Sequence, residues 1–486
     1  QLETAFNYSY ELPTEGDDGA IHKASAYIGG SLIDNKLLAN LVLEGVDQQA
    51  WRSEQSIYKN TDAAEKRKGF SILSNVSWLI NDNQTLDVDL THRSDDRKAV
   101  WNNYGLSFPT NIQEMDRTSV GLTYSANWND INSRLRYYYE NVDLMDNSEI
   151  ITNLYKKTGD IQQTNHTFDA QVSGHIGEQH LVTGGAEFRK TELEHNQNLN
   201  GSASVNQTAF YLQDEWKLDR LSLTFAGRFD DYDSFGSEFS PRFYSVYQVT
   251  DQFNFKGGIG KSFKAPSLSQ SDPTYSVLAC RGRCQVVGNP DLEPETATSY
   301  EFGGVYENDQ FYASLMYFDN DIKNMIVSDG WRAGYNPSVM TYTNVHSASV
   351  KGVELESQYD VNDALGVKFD YTYSDAKNKD TDKELDYSPR HTGNMALDWR
   401  VNDALGLNLN YQYIGSQMLY VPAISKSQKS DDYHVLGLSG QYQFNPSFTM
   451  QAGIKNLTNT KRDDVARSID YILMGRTAFV GFNFKY

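Results

Sequence analysis

The sequence lacks long apolar runs and has few basic residues. No stretch in the 486 residues approaches the roughly 20 consecutive apolar residues that a membrane-spanning helix needs. Lys and Arg number 43 against 64 Asp and Glu, which gives a formal net charge of −21. Nucleic-acid binding needs clustered positive charge, so this balance argues against a nucleic-acid partner. We expect the chain either to be soluble or to cross a membrane as strands, because lipid tolerates no unpaired backbone.

Cysteine is almost absent. The two cysteines, Cys280 and Cys284, bracket Arg281, Gly282 and Arg283. A pair this close in an exported protein predicts a small disulfide. A metal site would want four ligands, and the sequence has no histidine or second cysteine pair nearby. We therefore expect a disulfide here, with no metal and no cofactor.

Aromatic residues are abundant although overall hydrophobicity is modest. Hydrophobic residues make up only 39% of the chain, yet it contains 32 Tyr and 23 Phe. A soluble core of this size would normally depend on Leu, Ile and Val. The excess of tyrosine is typical of a wall with one lipid face, one wet face and aromatic girdles at both membrane interfaces.

Apolar and polar residues alternate along many segments. Leu86, Val88 and Leu90 alternate with Asp87 and Asp89, and the segments 367–374, 405–413 and 480–486 repeat the pattern. A period of two places each set on one face of a sheet. Charges on the polar face fit a water-filled lumen. Facing hydrocarbon, an Arg or Lys would cost about 2–4 kcal/mol at the midplane.

Ten short turns punctuate these strands. They lie near Asp34, Asp82, Asp130, Gly177, Asp219, Asp251, Asp309, Asp363, Asp403 and Pro446. With a leading and a closing strand, they predict an all-β, up-and-down antiparallel transmembrane β-barrel of about 22 strands. We expect a monomer in a Gram-negative outer membrane, in contact with the lipid bilayer and lipopolysaccharide.

Long polar segments separate the hairpins at the other end. Short turns face the periplasm in such barrels, so the long segments should be extracellular. Recognition usually resides in loops on a rigid scaffold. The predicted loops are 49–67, 98–115, 144–165, 193–204, 264–295, 320–345, 420–432 and 457–474.

The segment 257–302 carries a family resemblance. Phe-Lys-Ala-Pro at 263–266 and Gly-Asn-Pro-Asp-Leu-Glu-Pro-Glu at 288–295 resemble the long-loop signature of TonB-dependent outer-membrane receptors. Asn344-Val345 and Lys351-Gly-Val-Glu354 agree with that family, although the chain ends in Tyr486 where the family usually ends in Phe. The Cys-Arg-Gly-Arg-Cys loop most resembles the colicin I receptor subgroup, which takes ferric catecholate siderophores.

The resemblance implies a siderophore-transport barrel. Full family members begin with a TonB-binding segment and a plug that fills the lumen, whereas Leu2–Leu12 aligns with the first barrel strand. We expect 1–486 to be a single barrel without plug, TonB box or signal peptide, engaging the TonB complex only if a plug is supplied. Such a chain should behave as an open or loop-occluded pore. The alternatives are a general diffusion porin, or a receptor surface for a bacteriocin such as a colicin, or for a phage.

A ferric tris-catecholate is a compact trianion with aromatic edges. Its complement is Arg or Lys charge combined with aromatic faces, and two loops offer that mixture. The candidate ligand contacts are Lys264, Tyr275, Arg281 and Arg283 in one loop, and Trp331, Arg332 and Tyr335 in the other.

Haem and catalysis are less favoured. Haem receptors typically carry a histidine between the two signature motifs, and Ser267 to Gly288 contains none. No Gly-x-Ser-x-Gly nucleophile motif occurs, and the histidines are scattered along strands and turns. We therefore expect no catalytic residues, and a binding or transport protein rather than an enzyme.

Overall fold

A computed structural model describes residues 2–52, 61–100, 110–148, 159–279, 284–328, 339–421, 426–461 and 474–486. The main sheet has 23 strands, of which Lys383–Glu384 is a two-residue addition and the other 22 form one wall. Among the described residues, no helix is long and apolar enough to cross a membrane.

The 22 wall strands follow one another in chain order, each antiparallel to the next. They are β1 Leu2–Pro13, β2 Ile21–Ile33, β3 Leu37–Gln48, β4 Lys66–Asn81, β5 Gln84–Val100, β6 Thr110–Trp128, β7 Ile131–Ser148, β8 Gly159–Ile176, β9 His180–His195, β10 Ser202–Leu218 and β11 Leu221–Tyr232. The second half comprises β12 Gly236–Gln248, β13 Phe253–Lys264, β14 Glu295–Glu307, β15 Phe311–Lys323, β16 Ala348–Asn362, β17 Leu365–Asn378, β18 His391–Arg400, β19 Leu405–Ile414, β20 Tyr433–Asn445, β21 Phe448–Lys455 and β22 Thr477–Lys485.

The wall closes on itself. Strand β1 pairs with β22 in a continuous antiparallel register from Ala5↔Lys485 to Pro13↔Thr477. Closure leaves no unpaired sheet edge, which is what a sheet in lipid requires. The predicted 22-stranded barrel is confirmed.

All ten predicted short turns join consecutive wall strands. Two of them contain the hexapeptide Val-Asn-Asp-Ala-Leu-Gly, at 361–366 and 401–406, and form the same hydrogen bond. The Asn362 side chain accepts from the backbone N–H of Ala364, and the Asn402 side chain accepts from that of Ala404, each at 2.9 Å. Asparagine favours such turns because its side chain caps the backbone two residues on.

The opposite end carries the longer connections, and several of them are shorter than predicted. The predicted loop 98–115 is strand up to Val100 and again from Thr110, and 144–165 is strand up to Ser148 and again from Gly159. Polar side chains pair across the strands beside these segments: Arg67 pairs with Asp95, and Gln162 donates to Asp143 at 2.9 Å. A single helical turn, α1 Leu268–Ser271, lies in the segment between β13 and β14.

The two faces of the wall differ as the alternation predicts. Exposed apolar residues such as Leu135, Phe168 and Leu212 occupy the outward positions. The inward face is polar: Asn75 donates to Asp89 at 2.8 Å, and Lys368 lies 3.9 Å from Asp398. The predicted lipid-facing and luminal sets are therefore confirmed.

Candidate functional site

The two loops predicted to bind ligand are joined into one small sheet. Here loop A denotes residues 265–294, between β13 and β14, and loop B denotes residues 324–347, between β15 and β16. Loop A contributes Ser276–Ala279 and Cys284–Val287, and loop B contributes Ile326–Ser328 and Val339–Asn344. The two loops meet through a parallel pairing of Gln285 to Val287 with Val339 to Thr341. A backbone ladder therefore connects loop A to loop B.

Two asparagine side chains reinforce this connection. Asn344 accepts from the backbone N–H of Glu293 at 2.8 Å and donates to the carbonyls of Glu293 at 2.7 Å and Asn324 at 2.9 Å. Asn289 donates to the carbonyl of Tyr342 at 2.8 Å. Both asparagines lie in segments that resemble the receptor family, but neither was predicted to have a role. Their place in the family motifs is the feature of the sequence that marks them.

Gly288 allows the close packing inside loop A. A Cβ atom at this position would overlap the backbone carbonyl of Asp272. The Gly288 N–H donates to the carbonyl of Tyr275 at 3.0 Å, and the neighbouring Asn289 N–H donates to Gln270 at 2.7 Å. The glycine thus lets the second half of loop A fold onto the first half.

Tyr275 lies beside both loop B and a third connection. Burial raises the pKa of Tyr342 in loop B, and the nearby Tyr275 adds to the increase. The Tyr275 ring meets the His195 ring edge-on, with centroids 6.0 Å apart. The N–H of Ser276 donates to the carbonyl of Asn198 at 2.8 Å, so the 196–201 connection supports loop A.

Lys264 lies at the top of the barrel wall. Its ammonium is 3.2 Å from the carboxylate of Glu295, and the same carboxylate accepts from the N–H of Ile326 at 3.1 Å. The ion pair therefore ties the base of loop A to the first strand of loop B. The Lys264 side chain remains exposed enough to contact a ligand as well.

The other predicted ligand contacts lie outside the described residues. They are Arg281, Arg283, Trp331, Arg332 and Tyr335, and Cys280 lies outside as well. Cys284 is disulfide-bonded, and its pairing with Cys280 stays a prediction. The structure brings together the described parts of the two loops that carry the seven candidate residues. Among the described residues, no group of three or more His, Cys, Asp or Glu could hold a metal ion.

Below the loops, cross-strand ion pairs line the lumen. Asp230 is 1% exposed and accepts from Gln207 at 2.7 Å and from Arg228 at 3.0 Å. Glu11 forms ion pairs with both Lys23 and Lys455. Arg228 and Asp230 are two residues apart on β11. The other partners lie on different strands, so those contacts become visible only once the strand register is known.

The luminal charges are distributed unevenly. A concave surface over β1–β5 includes Lys23, Arg67 and Arg93 but only one carboxylate, Glu44. Arg93 donates to Ser71 at 3.2 Å, and within the described chain no carboxylate lies at ion-pair distance from it. The opposite wall, over β12–β17, has an acidic surface. It carries four carboxylates, those of Glu301, Glu354, Glu356 and Asp370, against two cations, Arg242 and Lys256.

The chain is similar to known receptors along its whole length. The family model "TonB dependent receptor-like, beta-barrel" matches residues 33–457. The iron-regulated outer membrane virulence protein of Vibrio cholerae is 25% identical over 505 residues, covering 98% of this chain and 72% of that protein. The ferric enterobactin receptor of Pseudomonas aeruginosa is 27% identical over 450 residues, covering 79% of this chain and 59% of the receptor.

Solved structures share the fold. A crystal structure of the ferric enterobactin receptor from P. aeruginosa in complex with enterobactin matches with a TM-score of 0.87 at 22% identity, covering 100% of this chain and 81% of that one. The siderophore receptor PirA from Acinetobacter baumannii matches with a TM-score of 0.85 at 19% identity, covering 100% and 80%. The chain therefore belongs to the TonB-dependent receptors and forms their β-barrel in the outer membrane of a Gram-negative bacterium.

Proposed function

We propose that this chain is the barrel of an outer-membrane receptor that takes up ferric siderophores, with a ferric catecholate as its ligand. The observation that carries the proposal is the parallel pairing of loop A with loop B at the open end of the barrel. It supports a single recognition surface built from the two loops that hold the Arg, Lys and aromatic candidates. Relatives named as ferric enterobactin receptors favour the catecholate class.

Charge favours the same ligand. A ferric tris-catecholate carries three negative charges. Charge-assisted hydrogen bonds from guanidinium groups are the strong contacts for such an anion. Arg93 in the basic luminal surface provides a positive site below the loops, on the wall over β1–β5. The opposite acidic wall would repel the trianion and favour its passage along β1–β5.

Energy coupling depends on a plug. We propose that residues 1–486 form one barrel domain, and that the TonB complex acts on the receptor only through a plug in the lumen. The chain by itself then conducts ions or is occluded by its loops. Planar-bilayer conductance separates these states from each other: large steady openings indicate an empty lumen, and a silent bilayer with folded protein inserted indicates occlusion.

Ligand binding by the purified chain tests the receptor proposal. Tryptophan fluorescence should be quenched by a ferric catecholate, while a ferric hydroxamate of similar size should bind weakly. The double substitution Arg281→Ala and Arg283→Ala should weaken catecholate binding at least tenfold, since each charge-assisted contact contributes about 1.5–3 kcal/mol. Arg220→Ala, at the short-turn end where Arg220 donates to Val249, is the control and should bind like the unaltered chain.

Two alternatives predict different results. A general diffusion porin would conduct steadily and show no preference between the two ferric chelates. A surface that serves only a bacteriocin or a phage would bind neither chelate. Equal affinity of the double variant and the unaltered chain would remove Arg281 and Arg283 from the recognition surface.

A further inference from the structure

A hydrogen-bonded histidine–aspartate pair lies on the lipid-facing side of the barrel near its short-turn end. The imidazole Nδ1 of His180, at the start of β9, is 2.9 Å from the Asp214 carboxylate of β10. Asp214 shares its face with Leu212 and Trp216, and Leu212 is among the most exposed apolar side chains. Asp214 therefore points outward, and both members of the pair are about one third exposed.

This pair is an exception on the outer wall. The alternation in the strand registers assigns each wall residue to the lumen or to the lipid face. In the turn-side halves of the described strands, no other carboxylate or imidazole occupies a lipid-facing position. An ionised group facing lipid is costly, so such groups occur where a partner compensates the charge.

Trp216 places the pair at the depth of the lipid headgroups. Its ring stacks on the His180 ring with centroids 5.3 Å apart and an interplanar angle of 17°. The indole N–H of Trp216 is buried without a hydrogen-bond acceptor among the described residues. Tryptophan is enriched at membrane–water interfaces. Trp216 lies three residues before the turn at Asp219, which places it near the end of the strand.

A strip of small side chains leads from the pair towards the middle of the membrane. Gly184 and Ala186 are the next lipid-facing residues of β9 beyond Val182. They lie opposite Leu212 and Phe210 of β10, and a Cβ atom at Gly184 would be 3.5 Å from Leu212. Exposed Val172 stands across the strip on β8. The strip is thus a shallow apolar channel on the lipid-facing surface.

We propose that Asp214, His180 and Trp216 bind one inner-leaflet phospholipid whose zwitterionic headgroup carries a primary ammonium. Two opposite charges on the protein face two opposite charges on the headgroup. The ammonium donates to the Asp214 carboxylate, and the phosphate accepts from Nε2 of His180. In this arrangement the ring donates from both nitrogens, from Nδ1 to Asp214 and from Nε2 to the phosphate. One acyl chain lies on Gly184 and Ala186.

Native mass spectrometry of the full chain tests this site. The chain, purified in detergent, is incubated with equal amounts of phosphatidylethanolamine, phosphatidylglycerol and phosphatidylcholine. We expect one phosphatidylethanolamine to be retained in preference to the other two lipids. Asp214→Asn should reduce its retention about tenfold, because a charge-assisted contact of about 1.5 kcal/mol is lost. His180→Phe keeps the stacking on Trp216 and should also weaken retention, through loss of the phosphate contact.

Glu215→Gln is the matched control, since Glu215 is the luminal neighbour of Asp214 on the same strand. It should retain lipid like the unaltered chain. Heat-modifiable migration on gels checks that each variant is folded. Retention of phosphatidylglycerol over phosphatidylethanolamine, or equal retention by Asp214→Asn and the unaltered chain, overturns the proposal. If a variant fails to fold, the lipid preference of the unaltered chain still decides the question.

Discussion

Asn344 holds the backbone of Glu293 from both sides, although 51 residues separate them. The Glu293 N–H donates to Asn344 at 2.8 Å, and the Asn344 amide donates to the Glu293 carbonyl at 2.7 Å. Replacing Asn344 by Leu should separate loop A from loop B, since the backbone groups of Glu293 lose their partners at a cost of about 1–3 kcal/mol. Hydrogen exchange should accelerate at residues 289–293 and 339–344.

Thr343→Val is the control for this change. It alters the preceding residue of the same loop strand while leaving the Asn344 amide in place. Exchange in the two segments should match that of the unaltered chain. Equal protection in Asn344→Leu would mean that the parallel pairing alone holds the loops together.

The closing pair of strands can be trapped by a disulfide. Ser9 in β1 is directly opposite Gly481 in β22, and a Cβ atom built on Gly481 lies 3.6 Å from the Ser9 Cβ. This separation falls within the range for disulfides of about 3.5–4.5 Å. Ser9→Cys combined with Gly481→Cys should oxidise readily in the folded barrel. Mass spectrometry should find a linked peptide that joins the first and last strands.

A mismatched pair tests the register. Ser9→Cys combined with Asn483→Cys is two residues out of register, where Cβ atoms are about 7–8 Å apart or slightly less. It should oxidise slowly. Equal oxidation of the two pairs would contradict the register between β1 and β22.

Asp230 should be important for stability. Its carboxylate is buried in the luminal wall and accepts from both Gln207 and Arg228. Asp230→Ala removes the acceptor of Gln207 and one of the two carboxylates that contact Arg228, which keeps its Glu187 contact, and it should lower the free energy of unfolding by about 1–3 kcal/mol. Urea unfolding in lipid bicelles measures the change. Asp231→Ala alters the exposed next residue and should shift the free energy by less than about 0.5 kcal/mol. A similar loss in both variants would contradict the assignment.

Arg93 should influence ion selectivity if the barrel conducts. It lies in the basic luminal surface, where a charge reversal acts directly on permeating ions. Arg93→Glu should shift the reversal potential towards cation selectivity in a planar bilayer with a salt gradient, and less so at high salt because of screening. Lys351→Glu makes the same charge change on an outward-facing position and should leave the potential unchanged. The same shift in both would show that the outer surface, and not the lumen, sets selectivity.

The barrel could be predicted from the sequence because its signals are local. Alternation such as Leu86 to Leu90 has a period of two, and each turn is marked by one to three residues. The predicted loops 98–115 and 144–165 are too long because their polar ends look like loop sequence. Only the register shows that polar side chains beside them pair across strands, Arg67 with Asp95 and Gln162 with Asp143.

The candidate site was predicted less completely. The two loops were identified by their composition, whereas the backbone ladder that joins them was not predicted. The contacts that join them, from Asn289 to Tyr342 and from Asn344 to Glu293, cross more than 50 residues of chain. The outward pairing of His180 with Asp214 likewise follows from strand register. Pairings of this kind leave no local pattern, so the sequence could not predict them.

The parallel ladder between loop A and loop B uses backbone atoms, and Asn289 and Asn344 likewise form hydrogen bonds with main-chain groups. The connection between the loops therefore depends little on the other side chains of these four short strands. Substitutions can accumulate there without detaching one loop from the other. Receptors built in this way can change the chelate they recognise while keeping the same architecture.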